Sequence, residues 1–120
     1  MTMEECYREM GGDYKEVNAR LPGARMIERF ALRFLEDPSY WTLCRELDAG
    51  NREEAFRAAH TLKGVCANLG FTRLRESVSQ LTEELRPKSD AVPVTAALIE
   101  HVKADYEVTV DAIRKYQNGQ

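Results

Sequence analysis

His60, Lys63 and Gly64 fall within one five-residue run, His60-Thr61-Leu62-Lys63-Gly64. Imidazole is neutral, nucleophilic and reversible in its bonding near pH 7. One of its nitrogens can take a phosphoryl group and surrender it later, because the P–N bond is energy-rich. Such a carrier needs an exposed ring, a cation beside the phosphoryl oxygens, and room for a partner's backbone to approach. Helical spacing offers all three. Lys63 at i+3 lies on the neighbouring ridge. Gly64 at i+4 removes the side chain that would stand over the ring, and Ala67 at i+7 keeps the next turn small. A mid-helix glycine costs about 1 kcal/mol relative to alanine, so it asks for a compensating role. Taken singly, His60 and Lys63 are solvated side chains and Gly64 is a packing concession to a neighbouring helix. Their conjunction is what points to a site.

The ring is exposed only if residues 51–69 form one helix with a buried opposite side. At about 100° per residue, Ala58, Leu62, Val65 and Leu69 gather on one side, with Ala55 and Cys66 at its edge. His60 points away from them, on a side shared with Phe56, Arg57, Lys63, Gly64 and Ala67. Asn51 is placed to cap this helix, with Glu54 at capping-box spacing. Gly70 can turn left-handed after it, and Phe71 can pack back in a Schellman arrangement. Breakers at Gly11-Gly12, Pro22-Gly23, Asp37-Pro38, Asp48-Ala49-Gly50, Gly70 and from Pro87 to Pro93 divide the rest. The pieces are predicted helices over about 2–10, 13–20, 24–35, 39–48, 72–86 and 92–117. Their apolar positions recur at helical spacing: Ile27, Phe30, Ala31, Phe34 and Leu35; Tyr40, Leu43, Cys44 and Leu47; Leu74, Val78, Leu81 and Leu85; Leu98, Val102, Thr109, Ile113 and Tyr116. With no period-2 pattern, the expected fold is all-α. It is an antiparallel up-down four-helix bundle, closed at one end by short N-terminal helices. The 120 residues suit one domain, 1–120, with a bundle core over about 24–117.

A net charge of -3 argues against a nucleic-acid partner. No apolar run approaches the roughly 18 residues needed to span a bilayer, and the N-terminus lacks the layout of a secretion signal. A cytoplasmic protein without membrane contact is expected. Cys6, Cys44 and Cys66, odd in number and without C-x-x-C spacing, suit free thiols in a reducing compartment. No Gly-rich nucleotide loop is present, so the chain is not expected to act as an enzyme. His60, Cys66 and His101 share no ligand spacing on one helix face, so no metal is expected. His101, between Leu98 and Val102, is placed at the bundle border, and Trp41 in the core or over the bundle end. Arg73, Arg75, Glu76, Glu83 and Glu84 form a solvated face.

The run from His60 through Thr61-Leu62-Lys63-Gly64-Val65-Cys66-Ala67-Asn68-Leu69-Gly70 to Phe71 resembles the phosphorylation motif of histidine-containing phosphotransfer (HPt) domains of two-component signalling. That motif runs His, any residue, Leu or Ile, Lys, Gly, small residues, then Leu-Gly and an apolar residue. Cys66 stands where alanine or serine is usual. Met10-Gly11-Gly12-Asp13 resembles the opening turn of those domains, and Phe30 to Leu35 the apolar end of their first bundle helix. Leu74, Val78 and Leu81 match the helix behind the histidine, so the likeness spans about residues 5–116.

The resemblance implies a four-helix bundle whose histidine accepts a phosphoryl group from a receiver-domain aspartate and passes it to another receiver. It makes His60 the phosphoacceptor, has Lys63 steady the phosphoryl oxygens, and leaves clearance at Gly64 and Ala67. Relatives often place Gln or Glu on the following helix, bonded to the other ring nitrogen. The matching residue is Thr82, whose hydroxyl would orient the imidazole directly or through water. Arg86 matches a basic residue that some relatives place near the phosphate. Docking is expected over Phe56, Gly64, Ala67 and Phe71, rimmed by Arg57, Lys63, Asn68 and Arg75. The expected partners are response-regulator receiver domains and a hybrid sensor kinase. Mg²⁺ would sit on the receiver, this chain would need no cofactor, and it would be a monomer. A second reading is the histidine-bearing domain of a chemotaxis-type kinase, phosphorylated directly by an ATP-binding domain; those domains usually carry Glu where Thr82 stands. A third is a degenerate bundle that binds without phosphorylation, against which Lys63 and Gly64 both argue.

Overall fold

The computed structural model describes residues 1–87 and 93–119, and among these the chain forms helices and no strand. In order they are α1 (Met3–Met10), α2 (Tyr14–Arg20), α3 (Ala24–Arg33), a 3-10 turn (Phe34–Glu36), α4 (Ser39–Asp48), α5 (Arg52–Leu69), α6 (Thr72–Leu85) and α7 (Ala96–Gln117). The helix expected over 24–35 leaves α geometry after Arg33, tightening to a 3-10 turn before Asp37, which must be extended ahead of Pro38. The expected start of the last helix, at 92, lies outside the described residues; α7 begins at Ala96.

Helices α4, α5, α6 and α7 pack in sequence order as a four-helix bundle, α1 lies against α7, and α3 bridges to α5 and α7. The core is supplied by Leu43 of α4, Leu62 and Cys66 of α5, Leu74, Val78, Leu81 and Leu85 of α6, and Val102 and Ile113 of α7. A run of aromatic contacts ties the N-terminal helices to this core. Tyr7 meets Phe71, Phe71 meets Phe34 edge-on at 5.0 Å, and Phe34 meets Tyr106, which stacks on Tyr40 at 3.7 Å.

The buried stripe of α5 keeps Ala58, Leu62 and Leu69 as expected, with its centre turned toward the Ala55 and Cys66 edge. Ala55, Ala59, Leu62 and Cys66 are fully buried, whereas Val65 is only half-buried. Small residues at the centre of the stripe let α4 and α6 approach the helix from both sides. The capping box expected at Asn51 and Glu54 does not form. The Asn51 amide donates instead to Glu46 at 2.8 Å, and its backbone N–H donates to the Glu46 carbonyl at 2.9 Å, joining the end of α4 to the start of α5. A capping box occurs at α1, between Thr2 and Glu5.

The other end of α5 is the Schellman motif expected there. Gly70 has φ 70°, and the Phe71 N–H donates to the Cys66 carbonyl at 2.9 Å. A Cβ at Gly70 would lie 2.8 Å from the Asp13 carbonyl oxygen. Segments far upstream finish the helix. The Tyr7 hydroxyl donates to the Leu69 carbonyl at 2.6 Å. Arg20 donates to those of Ala67 and Asn68 at 2.7 and 3.0 Å, and the Asp13 N–H to that of Gly70 at 2.8 Å. The last carbonyls of α5, which no helix can satisfy internally, thus all have donors.

Two expectations fail on the outer surface. Trp41 is neither core nor cap: it is 63% exposed, resting edge-on against Tyr40 and Tyr106. His101 is not at the bundle border but turned outward, 3.5 Å from the Asp105 carboxylate on its own helix. Among the described residues, no helix is long and apolar enough to cross a membrane, and no three His, Cys, Asp or Glu side chains could jointly hold a metal ion. All three cysteines are free thiols.

Candidate functional site

Because α5 is unbroken from Arg52 to Leu69 and buries Leu62 and Cys66, its far side must face water. His60, Gly64, Arg57 and Asn68 are exposed there, while Phe56, Lys63 and Ala67 are half-buried. Among the described residues, a Cβ at position 64 would meet nothing within 4 Å. No helix packs over that glycine, which removes the reading of Gly64 as a concession to a neighbour. Lys63 has no ion-pair partner among the described residues, so its ammonium is uncommitted one turn from the imidazole. Arg57 is committed, bridging Glu53 and Glu54 at 2.9 Å each.

The imidazole ring lies near the Phe56 ring, with centroids 6.2 Å apart and planes inclined by 26°. The Arg86 guanidinium of α6 sits 5.3 Å from the centroid of the same Phe56 ring. Glu83 grips that guanidinium through Nε at 3.1 Å and Nη2 at 2.8 Å. Arg86 therefore reaches the flank of the site rather than its open face. Glu83, expected only on a solvated face, belongs with it; the i,i+3 spacing of Glu83 and Arg86 was the available signal. Arg20 was also missed, because its contacts with α5 link positions 47 and 48 residues apart.

Two expected members are elsewhere. Phe71 is 1% exposed and cannot be a docking residue. The residue after a left-handed glycine folds back onto its helix, and here it packs between Tyr7 and Phe34. Thr82 is fully buried, and its hydroxyl donates to the Val78 carbonyl at 2.7 Å, one turn back along α6. It does not hydrogen-bond the imidazole; among the described residues His60 has no hydrogen-bond partner, and Phe56 is its one ring contact. Behind the site, burial pushes the Cys66 thiol well above its ordinary range, so it stays protonated and inert.

The arrangement is an unencumbered nucleophile with a spare cation beside it and bare backbone one turn on. It suits a group that arrives with a visiting protein and later leaves with one. A family model for the Hpt domain matches residues 41–112, a stretch from α4 into α7 that contains the whole of the His60 face. No curated protein and no solved structure matches the chain.

Proposed function

This chain belongs to the Hpt domain family, which gives it a histidine phosphotransfer role in two-component signalling, and we propose that it is a phosphorelay intermediate working through His60. A lone pair on one ring nitrogen attacks the phosphorus of a receiver's aspartyl phosphate. The carboxylate O–P bond breaks as the N–P bond forms, and a second receiver reverses the step. Lys63 places positive charge beside the phosphoryl oxygens as negative charge spreads over them. The receiver supplies the aspartate, the Mg²⁺ and the in-line geometry, so this chain works as a carrier with no cofactor of its own. Receivers dock over Phe56, Gly64 and Ala67, with Arg57 and Asn68 on the rim. The receiver of a hybrid sensor kinase is the fitting donor and a response regulator the acceptor, in the cytoplasm.

The observation that carries this reading is the empty space over Gly64 beside an exposed His60. A glycine that disfavours its helix and spares no neighbour among the described residues is explained by a partner that needs the room. The test is phosphotransfer from a panel of receivers charged by a small-molecule phosphate donor. Acid-labile phosphate is expected on the chain and none on a His60→Gln variant. Phosphate on that variant, or none on the chain from any receiver, would overturn the proposal.

A further inference from the structure

In-line transfer requires the attacking nitrogen to be held on the line to phosphorus. Among the described residues, no polar group does so. Thr82 is sealed in the core and bonded to Val78, and the ring nitrogens have no hydrogen-bond partner among the described residues. An exposed histidine turns over a broad range about its last torsion, which is poor preparation for attack. What the ring has instead is Phe56, one turn earlier on the same ridge of α5, 6.2 Å away and nearly parallel. Phe56 is itself braced from the neighbouring helix. The Arg86 guanidinium lies against its ring at 5.3 Å, and Glu83 fixes that guanidinium through two hydrogen bonds.

Resting on the phosphotransfer role of His60, we propose that Phe56 is a positioning residue that sets the plane of the imidazole, with the Arg86–Glu83 pair of α6 holding Phe56 in place. Stacking of this kind performs half the task of a hydrogen bond. It selects a ring plane, but a 180° flip about the Cβ–Cγ bond puts each nitrogen where a ring carbon stood and leaves the stack intact. The chain therefore fixes the plane and leaves the flip to the docked receiver, which selects the side on which the attacking nitrogen stands.

The test uses the full chain and two variants. Phe56→Leu keeps apolar bulk and removes the ring; Phe56→Tyr keeps the ring. Nuclear magnetic resonance of the His60 ring protons reads the stack directly. They are expected to move downfield in Phe56→Leu as the shielding ring current is lost, and to return in Phe56→Tyr. In single turnovers with phosphorylated receiver at saturation, Phe56→Leu, which keeps an apolar side chain in the docking surface, is expected to slow transfer about five- to tenfold, with half-saturation weakened by a smaller factor, and Phe56→Tyr to restore both. Unmoved ring protons in Phe56→Leu would overturn the proposal. So would a loss seen wholly in half-saturation, because Phe56 would then be a docking contact alone. Should the unaltered chain take no phosphate, the phosphotransfer reading fails while the resonance arm still decides whether the stack exists.

Discussion

Gly64 has a negative-φ helical backbone and open space where a side chain would stand. Nothing in the fold therefore opposes a methyl group there, and helix propensity favours it. Gly64→Ala is expected to stabilise the protein by about 0.5–1 kcal/mol, seen as a higher urea midpoint, while slowing phosphotransfer because the methyl group rises beside His60. Stability and function move in opposite directions when a residue serves a partner rather than the fold. A lower midpoint would mean that the glycine serves packing after all. His60, Lys63 and Gly64 were legible in the sequence because their chemistry needs one another at helical offsets, and an offset is all that a sequence displays. Thr82 and Phe71 were not. Phe71 precedes α6 and is drawn into the core by the fold-back after Gly70. Thr82 has the right spacing, but whether it meets the ring or the core depends on how α6 is rotated against α5. That rotation is set by Leu74, Val78, Leu81 and Leu85 together, and all four are buried.

At the scale of elements, α5 is the helix that the rest of the chain exists to hold, and its C-terminal end shows how. Cys66 and Ala67 are answered by the local Schellman bonds, but Asn68, Leu69 and Gly70 depend on Arg20, Tyr7 and Asp13. These belong to the α1–α2 region, upstream of the stretch matched by the family model. The N-terminal helices were expected to close one end of the bundle; the sequence held no sign that they do it by donating hydrogen bonds across 62 residues. Tyr7 is fully buried and its hydroxyl has the Leu69 carbonyl as its partner. Tyr7→Phe keeps the ring contacts with Tyr14 and Phe71 and strands that carbonyl away from water. The expected cost is about 1–3 kcal/mol, measured by urea denaturation, with faster amide exchange over Leu69 to Phe71. Unchanged exchange there would mean that water replaces the hydroxyl and that α1 is not what closes the helix.

Taken whole, the molecule encloses several weak acids: Cys6, Tyr7, Tyr40 and Cys66 are all within the core cluster. Burial, the largest cause in each, raises all four; Cys6 goes from 9.0 to about 11, with Glu9 adding to it, and the others rise further. A folded-state value above the unfolded one means that folding favours the protonated form. That contribution is complete below about pH 9, where the unfolded thiols keep their protons, and is lost as pH climbs through 11. The lowered groups Glu5 and Glu46 are held by hydrogen bonds from Thr2 and Asn51; Glu5 is exposed, where solvent screens it, and Glu46 is half-buried. Their contribution is present at neutral pH and falls only as pH drops past the ordinary carboxylate range. The stability profile should therefore be lopsided, with its steep side alkaline. The melting temperature is expected to fall by roughly 5–10 °C between pH 8 and pH 10.5, in a single transition, because the aromatic run from Tyr7 to Tyr40 joins the N-terminal helices to the bundle. Helical period alone disclosed the bundle, yet it did not separate Tyr40, buried in this run, from Trp41, which stands in solvent beside it. Adjacent aromatics look alike until α4 finds its place against α5. A flat profile up to pH 10.5 would show that water reaches the buried thiols and phenols readily, and the continuous core inferred from these contacts would have to be abandoned.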